Sequence, residues 1–115
     1  MSKLNRLISD EAIEEALHYL ATSVEVTAAA RGQRIRAEFN RKQTRAMLML
    51  RSPESSAAMR EAWAESHADY REACDAEAQA VEVDEFHRAK RNQCDTVIEA
   101  WRTEQASYRA GNKFQ

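Results

Sequence analysis

The chain has 115 residues, 43% of them hydrophobic and 31% charged, with a formal net charge of −2 at pH 7. That length suits one domain with a modest core, and the near-neutral balance argues against both a general nucleic-acid binder and an acidic DNA mimic. No apolar run approaches the roughly 18 residues of a membrane span, no apolar segment of about 7–15 residues opens the chain as a secretory signal would, and the two cysteines suit a reduced cytosolic setting.

Chain breakers are nearly absent: Gly32, Gly111 and Pro53 are the only glycines and proline. Strands and tight turns depend on residues this chain hardly uses, whereas helices do not. The expected fold is all-α. It is an antiparallel helical hairpin or coiled coil with a short N-terminal helix and one long C-terminal helix, forming a single helical domain over 1–115. The alternative is a four-helix bundle broken near residue 82.

The first helix is expected over about 10–22. Ser9 or Asp10 caps it, Glu11 and Glu14 suit its positive end, and Ile13, Ala16, Leu17 and Leu20 form an apolar stripe. Thr22 to Thr27 is β-branched and reads as a short connection. The second helix is expected over 28–51, with Ala28, Ile35, Phe39, Ala46 and Leu50 as its buried side and Met47 and Met49 beside them. Gly32 within it marks a close helix crossing. Ser52-Pro53 is the clearest boundary, with Ser52 as N-cap and Pro53 in the first helical position.

The third helix is expected to run unbroken over 53–110 and end at Gly111-Asn112. Ala73, Ala80, His87, Cys94, Trp101 and Tyr108 recur every seven residues. Ala76, Val83 and Val97 fall at a companion position, with Lys90 and Glu104 as polar exceptions. A different stripe, through Met59, Trp63, Tyr70 and Cys74, precedes them, so the phase is expected to change near Val81-Glu82-Val83.

Charge is strongly segmented. Residues 31–53 carry seven basic and one acidic group, and residues 54–85 carry two basic and ten acidic. Read alone, Arg31, Arg34, Arg41, Lys42 and Arg45 are candidate nucleic-acid contacts, because clustered cations neutralise phosphates. A hairpin turn at Ser52-Pro53 offers a structural alternative, which is the favoured one. It places Lys42 near Glu61 or Glu65, Arg34 near Asp69 or Glu72, and Arg31 near Asp75, cation against anion.

No catalytic, metal or cofactor site is expected. His67–Cys74 and His87–Cys94 share one spacing, but seven helical residues span about 10.5 Å, too far for ligands about 2 Å from one zinc ion. A Cys74–Cys94 disulfide is excluded on one straight helix. The carboxylate pairs lie on faces expected to be solvated, without the concave setting that acid–base chemistry requires. Met47, Leu48, Met49 and Leu50 instead form an apolar tip that one buried face cannot absorb. Either the first helix folds over it, or it is a protein-binding patch. Val97, Trp101 and Tyr108, on the distal third helix, are the second candidate contact, left to pair with another chain.

The stretch Ala89-Lys90-Arg91 followed by Val97 to Asn112, together with Glu15 to Ala21 (EALHYLA), resembles small all-helical proteins of phage and prophage early regions. The resemblance implies a virus-encoded accessory protein in the bacterial host cytoplasm and carries no functional residue across. The expected function is therefore non-enzymatic: binding of a host or phage protein, such as a recombination or replication factor or a defence complex like CRISPR-Cas. The alternatives are a nucleic-acid-binding accessory using 31–51 and a purely structural homo-oligomer, with a homodimer compatible with the first reading as well.

Overall fold

The computed structural model describes residues 7–112. Among them are four helices and no strand: α1 (Asp10–Thr22), α2 (Val24–Arg51), α3 (Ala57–Ser66) and α4 (Ala68–Asn112). The protein is thus all-α, with a short N-terminal helix and one long C-terminal helix. Its contacts divide it into two units. One is Thr27–Phe86; the other joins the chain up to Val26 with the chain from His87 onward.

The helix boundaries have local causes. Ser9 caps α1 by accepting a hydrogen bond from the Ala12 amide at 3.0 Å. Only Ser23 separates α1 from α2, not the expected six-residue connection. Its amide donates to the Tyr19 carbonyl, and its buried hydroxyl accepts from Arg91 at 3.4 Å. The β-branched Val24, Val26 and Thr27 enter α2 regardless, because propensity is a weak constraint against tertiary context.

The expected helix over 53–110 is two helices, and neither break falls where the sequence suggests. Ser52 does not cap a helix at Pro53; its hydroxyl accepts from the Glu54 amide within a loop. Ser56 caps α3 instead, accepting from the Met59 amide. The second break is His67, extended at φ −72° and ψ 143°. His67 closes α3 through its amide to the Ala64 carbonyl. It then opens α4, its Nδ1 accepting from the Asp69 amide at 3.0 Å and its carbonyl accepting from the Arg71 amide. Through residue 82, by contrast, α4 is continuous.

In the Thr27–Phe86 unit, α2 and the first part of α4 form an antiparallel hairpin. Arg41 pairs with Glu77 at 2.6 Å, and Arg34 pairs with Asp84 at 3.1 Å and Glu85 at 2.7 Å. Arg45 reaches α3, at 3.4 Å from Glu61 and 3.9 Å from Glu65. Cation meets anion as the charge pattern suggests, but the register differs. Arg34 faces Asp84 and Glu85 rather than Asp69 or Glu72, and Lys42 turns to Glu38 on its own helix. The loop and α3 occupy the residues that a direct turn would have paired with α2. Leu48, Ala64 and Ala73 are the buried centre of this unit, with Ala30 buried further along α2.

In the other unit, α1 lies antiparallel to the later part of α4. The Leu7 amide donates to Glu104, and the Tyr19 hydroxyl and His87 Nδ1 are 2.8 Å apart. Lys90 sits over the Tyr19 ring. Ile13, Ala16 and Cys94 are buried here. The later part of α4 therefore packs on α1.

Candidate functional site

The face that α2 turns inward is not its apolar one. Its buried and half-buried positions recur at heptad spacing: Thr27, Arg34, Arg41 and Leu48 in one row, Ala30, Ala37 and Thr44 in the other. One heptad row of α4 is covered throughout the described helix. Ala73, Ala80, His87, Cys94, Trp101 and Tyr108 are all buried or half-buried. Up to residue 84 their companions are Tyr70, Glu77 and Asp84, with Cys74 and Val81 half-buried beside them, rather than Ala76 and Val83, which are exposed; from His87 onward Arg91, Ile98 and Gln105 and the expected Lys90, Val97 and Glu104 are all half-buried. The buried face therefore shifts beyond about residue 84, near the expected phase change, while the helix itself stays continuous. The companion row is largely polar, and its charges are answered across the seam: Glu77 by Arg41, Asp84 by Arg34, Arg91 by Ser23.

These pairs act on protonation as well as on register. Glu85 and then Asp84 hold the Arg34 guanidinium above its ordinary pKa through hydrogen bonds. Glu77 and then Tyr70 do the same for Arg41. On the outer surface, the hydrogen bond from Lys42 keeps the Glu38 carboxyl below the usual carboxylate range. Asp84 is 7% exposed, and the Arg34 guanidinium meets its carboxylate at 3.1 Å.

The residues expected to form the buried side of α2 lie on its outside. Ile35 is 46% exposed, Phe39 70% and Leu50 84%, and Ala28 and Ala46 are exposed with them. They recur at alternate spacings of seven and four residues, so they form one stripe half a turn away from the Ala30–Leu48 seam. Gly32 marks no helix crossing: a side chain there would first meet the Arg36 guanidinium of the same helix.

The tip residues separate by face. Leu48 is 1% exposed and is the largest fully buried side chain, Met49 is half-buried, and Met47 and Leu50 are exposed. Of the four, Leu50 is the most open to a partner, at 84% exposed, and Met47 is about half exposed. Val97, Trp101 and Tyr108 are half-buried in the unit that holds α1. Of the basic candidates, Arg34, Arg41, Lys42 and Arg45 each engage a carboxylate, and Arg31 stays exposed.

Two features were missed in the sequence, the outward stripe of α2 and the exposed Phe86 on α4. The signal that locates the stripe was present. Arg34 and Arg41 are spaced by seven, and so are Glu77 and Asp84. Two matched heptad rows of opposite charge identify the seam, and the seam fixes the opposite face as the outer one.

The cysteines are free thiols, and among the described residues no group of three or more His, Cys, Asp or Glu could hold a metal ion. No helix among those residues is long and apolar enough to cross a membrane. Comparison of the chain with protein-family models, with curated proteins and with solved structures finds no match.

Proposed function

We propose that this chain is a non-enzymatic interaction protein whose contact surface is the outward stripe of α2, from Ile35 through Phe39 to Leu50, with Met47 at its edge. The carrying observation is the exposure of those four side chains on a helix whose other face holds half-buried arginines paired with carboxylates. Apolar area left in water forgoes about 25 cal/mol per Å², and a continuous stripe of it marks a binding surface more often than scattered exposed residues do. The likeness of Glu15–Ala21 and Val97–Asn112 to small phage proteins supports a virus-encoded accessory acting in a bacterial cytoplasm. Its partner is then a host or phage protein: a recombination or replication factor, or a defence complex such as CRISPR-Cas.

The test is affinity capture from bacterial lysate, followed by reconstitution with the purified prey. The wild-type chain retains a prey at high salt, and Phe39→Asp with Leu50→Asp loses it while remaining helical. Equal retention by both proteins overturns the proposal. DNA binding that weakens steeply with salt and is abolished by Arg31→Glu would favour the nucleic-acid reading instead.

A further inference from the structure

A second surface lies on the Thr27–Phe86 unit, on a flank distinct from the outward stripe. A cleft of about 410 Å³ runs between α2 and α4, with Thr44, Leu48, Ala73 and Ala76 among its lining. Arg51 stands on its α2 rim, and Asp69 and Glu72 stand on its α4 rim. The opposite flank of the same helix pair is taken by α3, held through Arg45 to Glu61 and Glu65 and seated by the fully buried Ala64. On α2, Arg45 is roughly 140–200° around the helix from the cleft residues Asn40 and Met47. One flank of the hairpin thus has its third helix, and the other has none within this unit.

Three observations indicate what fills it. The cleft is lined by small side chains, Ala73, Ala76 and Thr44, which admit a helix at close range. Apolar side chains extend the cleft surface at both sides: Met47 on the α2 side and Val83, one heptad beyond Ala76, on α4, each about half exposed. The rims are opposite in charge, yet Arg51 and Glu72 form no ion pair among the described residues, in contrast to the fully engaged Arg34, Arg41 and Arg45. A two-fold axis parallel to the helices would bring the basic rim of one copy over the acidic rim of the other, level by level. A two-fold axis across the helices would instead set like rims together, and the charges oppose it.

We propose that the α2–α4 cleft is a homodimer interface: two copies pack cleft to cleft, α2 of each over α4 of the other, with Arg51 of one chain meeting Glu72 of its partner. The result is a four-helix bundle with antiparallel neighbours. Apart from Met47, which borders both surfaces, this interface is separate from the stripe through Phe39 and Leu50, which stays outward in the dimer.

The test is sedimentation equilibrium on the full chain with charge-reversed variants, folding being checked by circular dichroism. The wild type is dimeric. Arg51→Glu alone and Glu72→Arg alone each weaken dimerisation by about tenfold or more, because two symmetry-related attractions become repulsions. Mixing the two variants restores a dimer, since each altered rim then meets its complement. A bridge across the cleft within one chain would gain nothing from mixing. A wild type that stays monomeric, or single variants that dimerise as well as the wild type, overturns the proposal, as does failure of the mixture to recover. Phe39→Asp leaves the dimer intact, so loss of partner capture and loss of the dimer are read separately.

Discussion

The two faces of α2 differ in the opposite sense from an ordinary amphipathic helix. Inward it presents two alanines, two threonines, two arginines and Leu48; outward it presents Ile35, Phe39, Ala46 and Leu50. The difference follows from the partner strip rather than from α2 itself. At the levels of Arg41 and Arg34, the seam of α4 offers Glu77 and Asp84, and a buried carboxylate is tolerable only beside a cation that satisfies it. Turning α2 by half a turn would bury Phe39 and Ile35 but would leave Asp84 without its guanidinium. Charge matching therefore selects the register of this hairpin, and the apolar face is what remains outside. Buried ionic layers of this kind contribute specificity more dependably than stability.

The inward face has the most to lose. Leu48→Ala removes its one large apolar side chain, and the expected cost is about 2–5 kcal/mol, read as a loss of unfolding free energy in urea. A loss no greater than that of an ordinary surface substitution, about 0.5 kcal/mol, would show that Leu48 is not in the core. The ionic layer gives the next effect, opposite in sign. Arg34→Leu combined with Asp84→Leu places two leucines at adjoining seam positions, and apolar replacement of a buried pair is commonly neutral or stabilising. The melting temperature of the double variant is expected to match or exceed that of the wild type, whereas Asp84→Leu alone leaves Arg34 with Glu85 only and gains less. A double variant that melts well below the wild type would mean that the pair holds the fold together rather than choosing its register.

The smallest effect lies outside the seam. The Lys42 hydrogen bond depresses the Glu38 pKa, so its contribution is present above the usual carboxylate range and is lost as pH falls through the lowered value. Lys42→Met should return the Glu38 titration, followed by NMR, to the ordinary range and leave the melting temperature essentially unmoved, as for other exposed ion pairs. An unshifted titration would remove Lys42 as the cause.

Much of the architecture was legible in the sequence, for simple reasons. The scarcity of glycine and proline specifies an all-helical chain, Ser9 marks the start of α1, and the heptad through Ala73, Cys94 and Tyr108 is the seam of α4. The misplaced features share a physical origin as well. Hydrophobicity alone assigns the inward face of α2 to Ile35 and Phe39, because area burial is then weighed without the charges on the facing helix. The break at His67 carries no glycine, proline or asparagine, and an imidazole acting as a cap is not among the usual signals. Placing the start of the next helix at Pro53 follows from a sound N-cap rule applied to the wrong serine, since Ser56 does the capping. Those two misplacements together move the hairpin register. Of the interaction surface, Met47 and Leu50 were legible only as members of an apolar tip with two possible fates, while Ile35, Phe39 and Leu50 itself were assigned to the buried side.

Hydroxyl-radical footprinting of the free chain, with the yield at each side chain read by mass spectrometry, measures the disposition of α2 without altering a residue. Phe39 and Leu50 should be modified readily while Leu48, between them in sequence, stays protected until the protein unfolds. Protection of Phe39 together with ready modification of Leu48 would contradict the inward-facing charged seam on which every other conclusion rests.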